Sequence, residues 1–234
     1  MGKTIIQQAR GHGSKTYQVR PSAYRYEIGY PNLSTNGKLT IWRLVNSAGH
    51  TAPLAKIIHE GKDYFVPAAQ GIYEKQEIEI GESAAMQVGN ILPLKSIPTD
   101  SSVFNIEIRP GDGGKIARTS GNSAMITRKE ENCVVLMLSS KKEIKLHPEC
   151  RATIGIVAGQ GRMTKPVVKA GKKWHMMKAR NKLWPRTSAL KFNAVDHPFG
   201  GGRGKRIKSK IAKRNAPAGA KVGHLRPSRT GHIR

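Results

Sequence analysis

From its charge, the last third of this chain is not expected to become compact on its own. Residues 161–234 hold 21 Lys and Arg and one acid, Asp196, a formal charge of +20 out of +26 for all 234 residues. Such a segment repels itself in water and condenses only beside a dense polyanion, which points to nucleic acid. Residues 1–27 carry +4, and residues 28–160 only +2. The expected organisation is a nearly neutral globular middle with a basic extension at each end.

The middle reads as β structure. Residues 38–45 alternate imperfectly and are rich in strand formers. Residues 54–59 and 64–67 flank Glu60-Gly61-Lys62-Asp63, read as a hairpin turn. Glu77-Ile78-Glu79-Ile80 alternates strictly. Further short strands are expected at 90–94, 103–108, 125–127, 133–138, 143–146 and 153–157. Short strands between turns suit a small barrel, and the five-stranded oligonucleotide-binding type is the candidate for the first. A second small antiparallel barrel follows and ends near Gly159. The expected segments are a basic arm at 1–37, barrels at 38–85 and 86–160, and a basic extension at 161–234. One helix is expected within 165–183 and a basic turn within 206–214. Neither has an apolar face strong enough to fold alone.

Several chemistries find little support. Cys133 and Cys150 are far apart, form no CxxC motif, and are read as buried thiols in a reducing compartment. The eight His residues lack zinc-module spacing, so no metal site is expected. No window approaches the ~18 apolar residues of a membrane span, and the N-terminus lacks a signal-peptide core, so the expectation is a soluble, cytoplasmic chain with no membrane partner. Glu74, Glu77, Glu79 and Glu82 are read as a solvated acidic face.

The basic ends carry more than charge. Tyr17, Tyr24, Tyr26 and Tyr30 alternate with Arg10, Lys15, Arg20 and Arg25. Cations meet phosphates and rings stack on unpaired bases, although these tyrosines can equally pack on the first barrel. In the C-terminal segment Trp174, Trp184 and Phe192 lie among Lys172, Lys173, Arg180 and Arg186. A purely solvating tail has no use for tryptophan. The loop Gly111-Asp112-Gly113-Gly114-Lys115 lacks Walker spacing and reads either as a surface turn or, with Arg118, as a cradle for an RNA backbone. The sharpest motif is Val195-Asp196-His197-Pro198-Phe199-Gly200-Gly201-Gly202, followed by Arg203, Lys205 and Arg206. An Asp–His pair invites a catalytic reading, but adjacent residues cannot easily form the contact that orients a general base, and no GxSxG nucleophile motif is present. Asp196 is read as accepting from a guanine or cytosine amine, or as capping a turn. His197 is read as making one hydrogen bond to RNA.

At these residues the chain resembles the universal large-subunit ribosomal protein L-two family. The motif at 193–202 carries the likeness most closely. Asn90 to Pro98, Asn105-Ile106-Glu107, Pro110 to Gly114, Ala117-Arg118-Thr119-Ser120-Gly121 and Cys150 to Gly155 agree with it. The opening Gly2-Lys3 with Ile5-Ile6-Gln7-Gln8, and the ending Val222-Gly223-His224-Leu225, resemble the archaeal and eukaryotic branch, with an archaeal cast. The resemblance implies a mainly β fold: an oligonucleotide-binding (OB-fold) barrel, an SH3-like barrel, and extended basic arms. It implies binding to large-subunit rRNA near the peptidyl transferase centre, with roles in subunit association, tRNA binding and peptide-bond formation. It implies other ribosomal proteins and the small subunit as partners. It implies no cofactor beyond Mg²⁺ held with the RNA, and no catalysis by the protein itself. Phe199 departs from the pattern, since many bacterial members carry a second His there. Direct peptidyl transfer through His197 and an architectural role on duplex DNA are the competing readings.

Overall fold

The computed structural model describes residues 3–32, 36–203, 211–212 and 214–225. Within these residues the chain forms two compact units. One comprises Pro21–Lys172. The other joins the described residues of Met1–Arg20 to those of Lys173–Arg234. The N-terminal segment is thus shared: residues 21–32 belong with the middle of the chain, and residues 3–20 with its C-terminal end.

The larger unit is mainly β. Its strands are β1 (Gly37–Val45), β2 (Leu54–His59), β3 (Lys62–Pro67), β4 (Glu77–Ile80), β5 (Ile91–Pro93), β6 (Ser102–Phe104), β7 (Ala124–Glu130), β8 (Cys133–Leu138), β9 (Glu143–Leu146) and β10 (Arg151–Ile154). They hydrogen-bond in the order β3-β2-β1-β4-β5-β10-β6-β7-β8-β9. Every pairing is antiparallel except β4 with β5, which meet in parallel at Ile80 and Ile91. β1 serves two neighbours. Its first half pairs with β4 and its second half with β2, and a register shift between Ile41 and Arg43 marks the bend. A bulge of this kind re-aims the side chain at the kink, and Trp42 is left 61% exposed there.

The expected hairpin is present, but its turn is shorter than four residues. His59 already pairs with Lys62, so only Glu60 and Gly61 form the loop, at φ 49° and 72°. Two positive φ values in succession make a two-residue turn whose twist matches that of the flanking strands. The strand expected at 103–108 stops at Phe104. Asn105 adopts φ 49°, and Phe104 to Glu107 are all buried, so no solvent face survives for alternation to mark.

Two large apolar clusters fill the unit. One joins Tyr30, Leu39, Ile41, Ile57, Ile78 and Ile91. The other joins Leu92, Ile97, Val103, Ile126, Leu136 and Ile154. The first cluster reaches past residue 85 to include Ile91, and Pro21–Lys172 form one compact unit.

A buried polar network ties residues 28–32 to the second cluster. The Glu107 side chain is fully buried, and its Oε1 accepts from Arg151 Nη2 at 2.8 Å and Nε at 3.2 Å. Its Oε2 accepts from the Arg151 backbone N–H at 2.8 Å. Arg151 Nη1 donates to the carbonyls of Pro31 (2.9 Å) and Asn32 (3.2 Å), and its guanidinium lies 5.2 Å from the Tyr30 ring centroid. The Tyr30 hydroxyl donates to Asn105 O at 2.6 Å and shares a 2.7 Å bond with Thr153 Oγ1. Burial drives the Tyr30 hydroxyl well above its usual pKa. Of the four tyrosines, Tyr30 is buried, Tyr26 lies 4.7 Å from Phe65, and the exposed Tyr24 meets His50 edge-on at 5.0 Å.

The acidic residues have separate partners. Glu74 accepts from Leu44 N–H at 2.9 Å and Glu79 from Ala85 N–H at 2.8 Å, while Glu77 pairs with Lys38 and Glu82 with Lys95. Cys150 is buried as expected, and burial pushes its thiol up to about 11. Cys133 is not buried. It sits half-exposed at the start of β8, where its thiol donates to Glu130 at 3.0 Å. That bond, with Lys145 and Arg128 beyond it, holds the Glu130 carboxyl down at about 2. Exposure there follows from its place beside the turn, since Cys133 pairs with Glu130 across residues 131–132, whereas Val134 to Leu136 of the same strand are buried.

Past β10 come two helices, α2 (Gly161–Thr164) and α3 (Ala170–Ala179); α3 is the one expected within 165–183, and α2 precedes that range. Pro166 interrupts the run between them. A short parallel pair joins β11 (Ile211–Ala212) to β12 (His224–Leu225). The turn expected at 206–214 lies largely outside the described residues. No helix among the described residues is long and apolar enough to cross a membrane.

Candidate nucleic-acid interface

The smaller unit is built from both ends of the chain. Near the N-terminus lies α1 (Ile6–Gly11), whose entry is fixed by Ile5 N–H donating to the Gln8 side-chain carbonyl at 3.1 Å. The Lys3 backbone N–H donates to Val195 O at 2.8 Å, and Lys3 Nζ lies 3.7 Å from Asp196 Oδ1. Asn181 Nδ2 donates to Gln18 O at 2.6 Å. Partners more than 160 residues apart thus hold residues 3–18 against 181–196.

The motif at 193–202 forms a compact turn. Asn193 O accepts from the N–H groups of Asp196 (3.0 Å) and His197 (3.2 Å), Gly200 N–H donates to His197 O (2.9 Å), and Gly201 N–H closes on Phe192 O (3.1 Å). Gly200 is required by space. An added Cβ would strike the Asn193 carbonyl and come within 2.5 Å of Phe192 O, all rigid backbone. Gly202 is required only by its φ of +77°, with open space around it. Gly200→Ala is therefore expected to cost this turn about 1–3 kcal/mol, as overpacking does. Gly202→Ala should cost only about 1 kcal/mol. Amide hydrogen exchange at Gly200 and Gly201 checks this, and equal protection in both variants would contradict it.

His197 is 8% exposed, stacked near-parallel to Phe192 at 6.2 Å and tilted against Phe199 at 5.1 Å. Its Nδ1 accepts from Phe199 N–H at 3.0 Å, which puts the proton of the neutral ring on Nε2. The Asp196 carboxylate faces Lys3 instead of the imidazole.

The other expected residues sort by what they already hold. Lys15, Arg20, Lys172, Arg186 and Arg203 are exposed, and Arg10, Lys173 and Arg180 are partly covered. Trp174 stands on α3, 40% exposed, with Lys178 Nζ 4.4 Å from its ring centroid. This is a one-turn i, i+4 cation–π pair. In the larger unit Arg25 and Lys115 are exposed. Arg118 is spent internally: Nε donates to Asn105 Oδ1 at 2.9 Å, and Nη2 to the carbonyls of Ile28 (3.1 Å) and Gly113 (3.2 Å). The 111–115 loop is itself braced, since Asp112 accepts from the N–H groups of Ile108, Arg109 and Gly114. Lys205 and Arg206 lie outside the described residues. The partners that sequence reading missed are Lys3, Thr4 and α1. Nothing local marks them, because their role depends on a segment far away along the chain.

A family model described as "Ribosomal Proteins L2, C-terminal domain" matches residues 87–219. The chain is also similar over nearly its whole length to proteins named "Large ribosomal subunit protein uL2". That of Methanococcoides burtonii is 43% identical, covering 99% of each chain. Those of Natronomonas pharaonis and Hyperthermus butylicus are each 43% identical over 99% of this chain, and over 97% and 98% of their own lengths.

Proposed function

The chain belongs to the ribosomal protein L2 family, and from that premise we propose that it is a structural component of the large ribosomal subunit that binds large-subunit rRNA through its two basic ends. The observation that carries the reading is the smaller unit. Both cationic ends join in it, and Lys15, Arg20, Arg186 and Arg203 are exposed there. A protein that used its tail only as solvated charge would not need the turn at 193–202 built by tight internal hydrogen bonds.

The finer roles belong to the same proposal. The turn at 193–202 organises RNA close to the peptidyl transferase centre, and so supports tRNA binding and peptide-bond formation. The larger unit gives a platform toward other ribosomal proteins and the small subunit. Mg²⁺ enters with the RNA phosphates. The protein acts in the cytoplasm as part of the ribosome and is not itself an enzyme. Two features favour organisation over catalysis at His197: Nδ1 is occupied by a backbone N–H, and Asp196 points to Lys3.

Crosslinking the full chain to large-subunit rRNA and mapping the attached peptides tests the reading. Attachment is expected to concentrate in 3–20 and 173–225, with little from the strands at 92–154. Attachment spread evenly over the chain, or equal affinity for duplex DNA at the same salt, would overturn it.

A further inference from the structure

Within the smaller unit a cavity of about 710 Å3 lies between α1 and the turn at 193–202. That is the size of a ligand cleft, for which roughly 300–1,000 Å3 is usual. Its walls carry three kinds of group. Tyr17 and Phe192 supply aromatic rings, Arg10 and Arg186 supply cations, Asp196 supplies an acceptor and His197 a donor. The donor follows from the hydrogen bonding: with Nδ1 held by Phe199 N–H, the neutral ring carries its proton on Nε2.

We propose that this cavity receives one unpaired guanine nucleotide of an RNA strand. The inference rests on the RNA-binding reading above and adds which base is taken. Guanine alone among the four bases places two donors, N1–H and the N2 amine, side by side on its pairing edge, with the O6 acceptor next to them. A carboxylate accepts both donors, and an imidazole N–H meets O6. Adenine would turn the N1 lone pair toward the carboxylate. Cytosine brings one donor, its N4 amine, with the N3 acceptor beside it, and uracil brings one, N3–H, between two acceptors. The rings of Tyr17 and Phe192 provide the apolar surface on which an unstacked base rests, and Arg10 and Arg186 provide charge for the flanking phosphates. A paired guanine is excluded because its pairing edge is already occupied.

The test uses the full chain and single-stranded nonamers of uridine with G, A, C or inosine at the central position, titrated at one salt concentration. The non-specific electrostatic contribution is common to all four, so their ratios report the central base. The guanine nonamer is expected to bind roughly 5- to 150-fold more tightly than the adenine one, the discrimination of one good bidentate contact. Inosine, which lacks the N2 amine, should fall between them. Asp196→Asn should bring the guanine preference below about twofold, since an amide offers one acceptor and adds a donor. Equal affinity for the nonamers in the unaltered chain, or a preference that survives Asp196→Asn, overturns the guanine site. If the nonamers bind equally but with a steep salt dependence, RNA binding stands and only the guanine site falls. A flat salt dependence would remove both.

Discussion

Replacing Arg151 by Ala is expected to destabilise the larger unit by about 3–5 kcal/mol, the cost of leaving one member of a buried ion pair without its partner. Glu107 is fully buried and Arg151 only 6% exposed, so water cannot re-solvate the abandoned carboxylate without opening the second apolar cluster. The change also releases the carbonyls of Pro31 and Asn32 and removes the cation over Tyr30. Against a typical total of about 5–15 kcal/mol for a domain, this is a large fraction. Cys150 reports it directly, because its buried thiol adjoins Arg151 and reacts only when the unit opens. Labelling of Cys150 should accelerate roughly 100- to 4,000-fold, at 1.4 kcal/mol per tenfold. The half-exposed Cys133 serves as the internal control. The pair Glu107→Gln with Arg151→Met should be milder than the sum of its parts, because neutral replacements of similar size remove the desolvated charge. An acceleration below tenfold for Arg151→Ala would show that the pair does not hold this region.

Salt is expected to govern RNA affinity even more strongly. If about eight phosphates are engaged, log K should fall with log salt at a slope of roughly −6 to −7. That is a loss of about 10⁴-fold between 50 and 200 mM, whereas a slope near zero would remove the electrostatic basis of the proposed function. The structure sharpens which cations contribute. Arg20→Gln and Lys172→Gln should each flatten the slope by about 1, since both side chains are exposed. Arg118→Gln should not, because its guanidinium is spent on Asn105, Ile28 and Gly113. Its loss should instead loosen the contact between residues 28–30 and the 111–115 loop. A full unit of slope lost in Arg118→Gln would mean that its internal bonds give way when RNA binds.

Most of the sheet was legible because alternation is a local signal. Leu39 and Ile41, and Ile78 and Ile80, fall where period-two patterning puts them, and the β2–β3 hairpin forms about its turn residues. Legibility failed where burial was complete. Around Phe104 to Glu107 both faces are covered and a carboxylate lies inside, so neither polarity nor alternation marks the end of the strand. Arg118 looked like an RNA ligand because a guanidinium in a glycine-rich loop reads the same whether its partners are phosphates or carbonyls. The glycines at 200–202 were legible as special but not by cause: one answers to a close backbone approach and two to positive φ.

The sequence by itself determined that residues 161–234 carry +20 of the chain's +26 and that its middle is a β structure. Net charge and hydrophobic period add up along the chain without reference to what lies across the fold. Only the tertiary structure decided which cations are already engaged, and that Asp196 and His197 share a cavity with Arg10 and Tyr17. That juxtaposition depends on closing the chain over 179 residues or more. It is made by a few long-range bonds, such as Lys3 to Val195, that leave no periodic trace in the segments they join.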